Sequence, residues 1–364
     1  MATQVPGGIE TGGERKKLLR RLAPDRSQRL RHIAQGAFVA LNLWIAAQFY
    51  LWVRFYERGG QGIKSSRPAG VEGWLPIAGL MNAKVFLLTG RVPAIHPAAM
   101  FLLLAFVGMS LLAKKAFCAW LCPVGTLSEA LWKFGRRLFR RNFSLPRWLD
   151  IPLRGLKYLL LGFFLFVIAA MPAAAIDEFM AAPYGLIADV KMLDFFRGIG
   201  ATGAIVLAIL VLGSMFVKNL WCRYLCPYGA LMGLVSLLSP VKIRRDRAAC
   251  VDCGKCARAC PASLPVDRLM QIRSAECAAC MECVAVCPAE NALQLALPPR
   301  RAAASASRWP GRALSPVALL GLFAVVFFGM VLVARATNHW QTRIPAHVYL
   351  DLIPHAGDVT HPGM

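Results

Sequence analysis

The sequence predicts a mainly α membrane protein of about five transmembrane helices in two parallel repeats, with a small α+β insert rich in cysteine. Three observations predict it. Hydrophobic residues fill 57% of the 364 positions and gather in runs long enough to cross a bilayer. The phrase FCAWLCPVG at 117–125 returns as WCRYLCPYG at 221–229. All 12 cysteines fall into four groups: the two pairs in those phrases and two quartets between 250 and 287.

In chain order, residues 1–32 form a basic tail at the cytoplasmic face. The first span lies near 33–54, with aromatics crowding its far end as at a lipid–water interface. Residues 55–73 are a polar loop with glycine and proline. The segment WLPIAGLMNAKVFLLTG at 74–90 is apolar but short and carries Lys84, so a re-entrant or interfacial helix is expected. Further spans lie near 96–113, 155–175, 199–219 and 315–334. The arginine-dense LWKFGRRLFRRNFSLPRW between the second and third spans shares the basic N-terminus's side by the positive-inside rule. The loop at 176–198, with Asp177, Glu178, Asp189 and Asp194 against Lys191 and Arg197, fits the outer side.

Five crossings then put the N-terminus, both pairs and both quartets in the cytoplasm, with the tail after 335 outside. The expected location is a bacterial inner membrane, multi-pass. No secretory leader is expected, since the first apolar run follows some thirty strongly basic residues. The division that results is a tail at 1–32, a four-helix membrane domain with two CxxxCP repeats at 33–235, and an insert at 236–300. A linker and fifth helix occupy 301–335, and an extracytoplasmic tail 336–364.

The repeat extends beyond the cysteines. GLMNAKVFLL at 79–88 and GLIADVKMLDFF at 185–196 hold similar places in the two halves, in the same orientation. That predicts halves related by an axis along the membrane normal. The formal charge of +23 is explained by basic residues flanking apolar runs, so lipid is the expected partner and nucleic acid is not.

CVDCGKCARACP and CAACMECVAVCP both read C-x2-C-x2-C-x3-C-P, the two-cluster ferredoxin signature, and make the insert ferredoxin-like. In that signature three cysteines of one run hold a [4Fe–4S] cluster with the fourth cysteine of the other run. The assignment is Cys250, Cys253, Cys256 and Cys287 for one cluster, and Cys277, Cys280, Cys283 and Cys260 for the second. Structural zinc could also take four thiolates, but two complete copies of this run favour clusters. Each pair is the last part of such a run. Cys118, Cys122, Cys222 and Cys226 together supply the four thiolates of a third cluster, which a parallel repeat would bring face to face. A redox dithiol, another metal, or plain small residues at helix ends remain open for them.

Paired CxxxCP phrases at the ends of membrane spans, followed by a two-cluster ferredoxin segment, resemble the membrane polyferredoxin family over roughly 33–295. That family includes the quinol-oxidising accessory protein of periplasmic nitrate reductase and the membrane part of the nitrous-oxide-reduction accessory flavoprotein. The resemblance implies relay of single electrons between a quinone pool or cytoplasmic donor and a respiratory or periplasmic reductase system. It implies an electron-transfer subunit rather than a stand-alone enzyme, with quinone as a further cofactor or partner and no catalytic side chain singled out. The alternative is a non-catalytic redox-sensing or assembly protein for a membrane or periplasmic metalloenzyme.

Other candidates are weaker. His32 and His96 lie at opposite ends of the first two spans and read as interfacial. His339, His347, His355 and His361 lie in a tail expected to be disordered or to bind a partner. Lys84 and Lys191 are expected to snorkel to the outer interface. No G-x-G-x-x-G unit or phosphate-cradling loop supports NAD(P) or ATP binding.

Overall fold

The computed structural model describes residues 21, 25–140, 143, 145–298 and 312–361. Most of the basic tail and the linker at 299–311 lie outside the described residues. Helix α1 (Ser27–Glu57) has 31 residues, about 46 Å at 1.5 Å per residue, and begins inside the stretch read as tail. After a 3₁₀ turn (Ala69–Trp74) come α2 (Pro76–Thr89), α3 (Pro97–Ala113), the short α4 (Ala116–Trp120) and α5 (Pro123–Phe139). Then follow α6 (Arg147–Ala170), α7 (Ala173–Ala181), α8 (Pro183–Leu186), α9 (Ala188–Arg197) and α10 (Ala201–Phe216). A π-helical turn (Trp221–Leu225) and α11 (Pro227–Val235) come next. The insert contains β1 (Lys242–Arg245), α12 (Lys255–Ala259), α13 (Glu282–Ala285) and β2 (Leu293–Ala296), followed by α14 (Pro316–Ala336) and α15 (Ala346–Leu352).

Among the described residues, three helices are long and apolar enough to cross a membrane: α1, α6 from Trp148, and α14. A fourth is reached if α9 and α10, bent by 81°, count as one span. The other expected crossing, α3, has 17 residues, about 25 Å against a hydrocarbon core of about 30 Å. It is apolar all round because it is interior. Twelve of its residues are buried, mainly against α2 and α14. Helix α10 is equally apolar, yet only Ser214 is buried, so its Ile205, Ile209 and Leu212 face outward.

The insert closes on itself through β1 and β2, antiparallel with Ile243 opposite Leu295. Its apolar residues Ile243, Leu264, Val266 and Ile272 join one buried cluster with Met109, Trp120 and Phe323 of the bundle. Such a small unit gains its core by leaning on the membrane part. Trp120 Nε1 donates to the Ala279 carbonyl at 3.1 Å across that junction.

At the opposite end of α3 lies a buried ionic network that the sequence did not reveal. Arg67 donates to Asp189 Oδ2 at 2.9 Å and to Glu72 Oε1 at 2.8 Å. Glu72 Oε2 accepts from the Ala99 backbone N–H at 3.2 Å, placing a carboxylate on the N-terminus of α3. His96, expected at the interface, is buried here, with Nε2 bonded to the Gly185 carbonyl at 2.9 Å. Arg67→Met would strand two buried carboxylates and is expected to destabilise the fold by about 3–5 kcal/mol. The measurement is the denaturation midpoint in detergent, and a parent-like midpoint would contradict the account.

Two further expectations are corrected. Lys84 does not snorkel: its Nζ donates to the carbonyls of Ile168 and Ala169 at 2.9 Å, and of Met171, completing the C-terminus of α6. Lys191 likewise donates to the Ala356 carbonyl at 2.8 Å. The C-terminal tail is docked rather than loose. Tyr349 and Ile353 are buried against the end of α1, with the Tyr349 ring 4.8 Å from that of Trp52.

Candidate iron–sulfur sites

Each CxxxCP phrase is a helix-starting device. Cys122 and Cys226 are the N-caps of α5 and α11, and Pro123 and Pro227 occupy the first helical turn, where a missing N–H loses no bond. The thiols thus sit where helix N–H groups point. Cys122 receives Gly125 and Val124 N–H bonds, while Gly229 N lies 3.2 Å from Cys226 Sγ. Cys118 lies on α4, and Cys222 on the π-helical turn, a geometry frequent at functional sites. The second phrase is anchored to α6 by Asp150, which accepts from Arg223 at 2.8 Å and Tyr224 at 2.6 Å.

The quartet loops share an unusual backbone. Asp252 and Gly254 have φ of 53° and 65°, and their counterparts Ala279 and Met281 have 46° and 58°. A left-handed residue within such a turn aims successive N–H groups into one concavity, the anion-binding nest used at iron–sulfur sites. Ala279 and Met281 adopt that conformation at a strain of about 1–2 kcal/mol each. The nest explains why the loops hold it.

All twelve cysteines are free thiols. Cys256 and Cys287 lie within electrostatic reach of Cys250, and Cys287 also of Cys253. Cys277, Cys280 and Cys283 each lie within reach of Cys260. Cys118 is within reach of Cys122, Cys222 and Cys226, although 104 residues separate the two pairs. Cysteines of the pairs and quartets also approach one another. Cys283 feels Cys256, and a cavity of about 100 Å³ is lined by Cys118 and Cys222 together with Cys260, Cys277, Cys280 and Cys283. Cys253 is exposed, whereas Cys260, Cys277 and Cys283 are buried.

Charges of both signs surround the cysteines. Arg31, Lys114, Lys115 and Lys157 are buried near them, with Glu129, Glu276 and Glu282 as partners of Arg31, Lys115 and Lys157, and Arg245 Nη1 lies 3.6 Å from Cys250 Sγ. Lys157 donates to Glu276 at 2.6 Å. Soft thiols, nested N–H groups and buried cations fit thiolate-bound iron–sulfur clusters, whose net charge is negative. Arg244 and Arg245 turn inward: Arg244 Nε donates to the Ala296 carbonyl at 3.3 Å.

Sequence reasoning missed the buried cations and the glycine three residues past each second cysteine. The glycines were visible in both phrases. The cations had no signal beyond lysine and arginine beside apolar runs, which lipid anchoring explains equally well.

Comparison with known proteins finds iron–sulfur domains over these segments. A family model described as a 4Fe-4S binding domain matches residues 95–144 and again 199–246, one match per half. A 4Fe-4S dicluster domain model matches 242–292. The chain is 50% identical over 331 residues to the putative electron transport protein YccM of Escherichia coli, covering 91% of each. It is 30% identical over 154 residues to the ferredoxin-type protein NapH of Escherichia coli, covering 42% of this chain and 49% of that one. With the regulatory protein NosR of Pseudomonas aeruginosa the identity is 33% over 169 residues, 44% of this chain and 22% of that one. No solved structure matches.

Proposed function

The chain belongs to the family of membrane-anchored, ferredoxin-type iron–sulfur proteins, and on that premise we propose that its twelve cysteines hold three clusters in line to relay single electrons. Cys250, Cys253, Cys256 and Cys287 would hold the outermost. Cys277, Cys280, Cys283 and Cys260 would hold the middle one, and Cys118, Cys122, Cys222 and Cys226 the one at the membrane edge. Bound [4Fe–4S] clusters supply one-electron carriage, which no side chain here provides. The protein's part is to space the sites, exclude water and balance charge.

The observation that carries this reading is the convergence of two cysteine pairs, distant in sequence, on a cavity shared with the buried quartet. Exposed Cys253 makes the first quartet the point of exchange with a soluble donor or acceptor. The pair site faces a quinone or a partner subunit of a reductase system, as the resemblance implies. Three sites in line favour conduction over sensing, for which one would serve.

In this reading α3 with α4, and α10 with the π-helical turn, complete five crossings, with the N-terminus and insert in the cytoplasm of a bacterial inner membrane. Iron and acid-labile sulfide in intact purified protein are expected at about 12 each per chain, four per cluster. About 8 of each would reduce the reading to the two quartets.

A further inference from the structure

Helix α1 carries Gln28, Arg31 and Gln35 on one face, at i, i+3 and i+7. Arg31 stands in the basic stretch read as a tail, yet it is 1% exposed. All five of its N–H groups are used. Nε donates to Gln28 Oε1 at 2.9 Å, and Nη1 to the Ala119 carbonyl at 3.3 Å and to Glu129 Oε2. Nη2 donates to Glu129 Oε1 at 2.7 Å and Glu282 Oε1 at 2.8 Å. The neighbours reinforce the same ends: Gln28 Nε2 reaches the Cys280 carbonyl and Gln35 Nε2 the Ala119 carbonyl, each at 2.9 Å.

These partners belong to two different sites. Ala119 lies between Cys118 and Cys122, and Glu129 is on the helix that Cys122 caps. Glu282 lies between Cys280 and Cys283, and Arg31 itself lines the cavity between the sets. More than 150 residues of chain separate Glu129 from Glu282, so covalent connection does not hold the gap. Trp120, bonded to Ala279, makes a second and neutral tie. A buried ionic hub is a poor device for stability, since desolvation offsets much of its attraction. Its strength is geometric: a planar fork grips two carboxylates and a carbonyl in one orientation, which a lysine ammonium cannot reproduce.

We infer that Arg31 is a positioning residue for electron transfer, the clamp that sets the separation and orientation of the buried quartet site and the pair site. This rests on the three-cluster reading. Fixed donor–acceptor geometry sets how fast the step runs, and Arg31 fixes it from outside both ligand sets.

The test uses the full chain in detergent with Arg31→Lys, Arg31→Gln and Glu282→Ala. Arg31→Lys is expected to keep about 12 irons and a parent-like midpoint potential, because a positive charge stays near Cys280. It should lose the magnetic coupling between reduced clusters in the EPR spectrum, and delivery of electrons from a soluble reductant to the pair site should slow at least about tenfold. Arg31→Gln should do the same and also lower the potential of the buried quartet site. Parent-like coupling and rate in both variants overturn the clamp. Should the Arg31 variants fail to retain iron, Glu282→Ala decides, since it removes one arm while Arg31 stays paired with Glu129; parent-like coupling there overturns it equally. A parent protein with about 8 irons and no coupling would instead remove the three-site reading, and the clamp with it.

Discussion

Cys222→Ser is expected to cut iron and sulfide from about 12 to about 8 per chain, leaving two of three cluster signals intact. A serine oxygen is a hard and weakly acidic donor, whereas cluster iron calls for a soft thiolate. The loss should stay local because the quartets are built on separate loops, closed by the β1–β2 pair rather than by the π-helical turn. On the proposed three-cluster reading, in which these four thiols share one site, Cys118→Ser should give the same loss, and the double variant no more. An additive loss in the double variant would mean that the pairs bind separately. Exchange of electrons with the membrane should stop in each variant, while reduction of the quartet sites from solution continues through exposed Cys253.

Gly125→Ala is expected to match the cysteine variants although it removes no ligand. A Cβ at 125 would stand 2.2 Å from the Cys118 carbonyl oxygen and 3.3 Å from its carbon. Those are backbone atoms, so the first turn of α5 must move away from α4, taking Cys122 from Cys118. Overpacking of this kind typically costs about 1–3 kcal/mol, and rigid backbone leaves few ways to relieve it. Gly229 occupies the same place in the second phrase, but its Cβ would meet Cys226 Sγ at 3.5 Å, an ordinary contact. Gly229→Ala should therefore retain about 12 irons where Gly125→Ala retains about 8. Equal iron content in the two would falsify the steric account. The two phrases look alike in sequence and differ in how closely the first cysteine's carbonyl approaches the following helix.

The same division runs through the molecule. Hydropathy and cysteine spacing are local properties, and what depends on them was legible. Long apolar helices stand near 33–54, 155–175 and 315–334, and the C-x2-C-x2-C spacing marks the loops that take matching left-handed turns. The fold class and the membrane and ferredoxin-like parts follow from such short-range signals. The length of an interior helix does not: α3 is shielded by α2 and α14, so a run of 17 apolar residues served a buried core as well as it would a lipid-facing span.

Charge was least legible. Nothing in the local sequence around Arg31, Lys84, Arg67 and Arg245 tells their roles apart. In the structure one bonds both Glu129 and Glu282, one closes a helix end, one neutralises two buried carboxylates and one faces Cys250. A side chain of fixed charge takes its role from the partners around it. Glu129 shows this: burial pushes its carboxyl up, and Arg31 with Lys133 overrides burial to hold it at about 2. Those partners arrive from 98 residues away in one case and from one helical turn in the other. The sequence by itself determined which ligands the chain carries and which segments are apolar, because both are written in neighbouring residues. Only the tertiary structure decided which cations turn inward and which carboxylates they meet, because packing brings together groups that the chain leaves far apart.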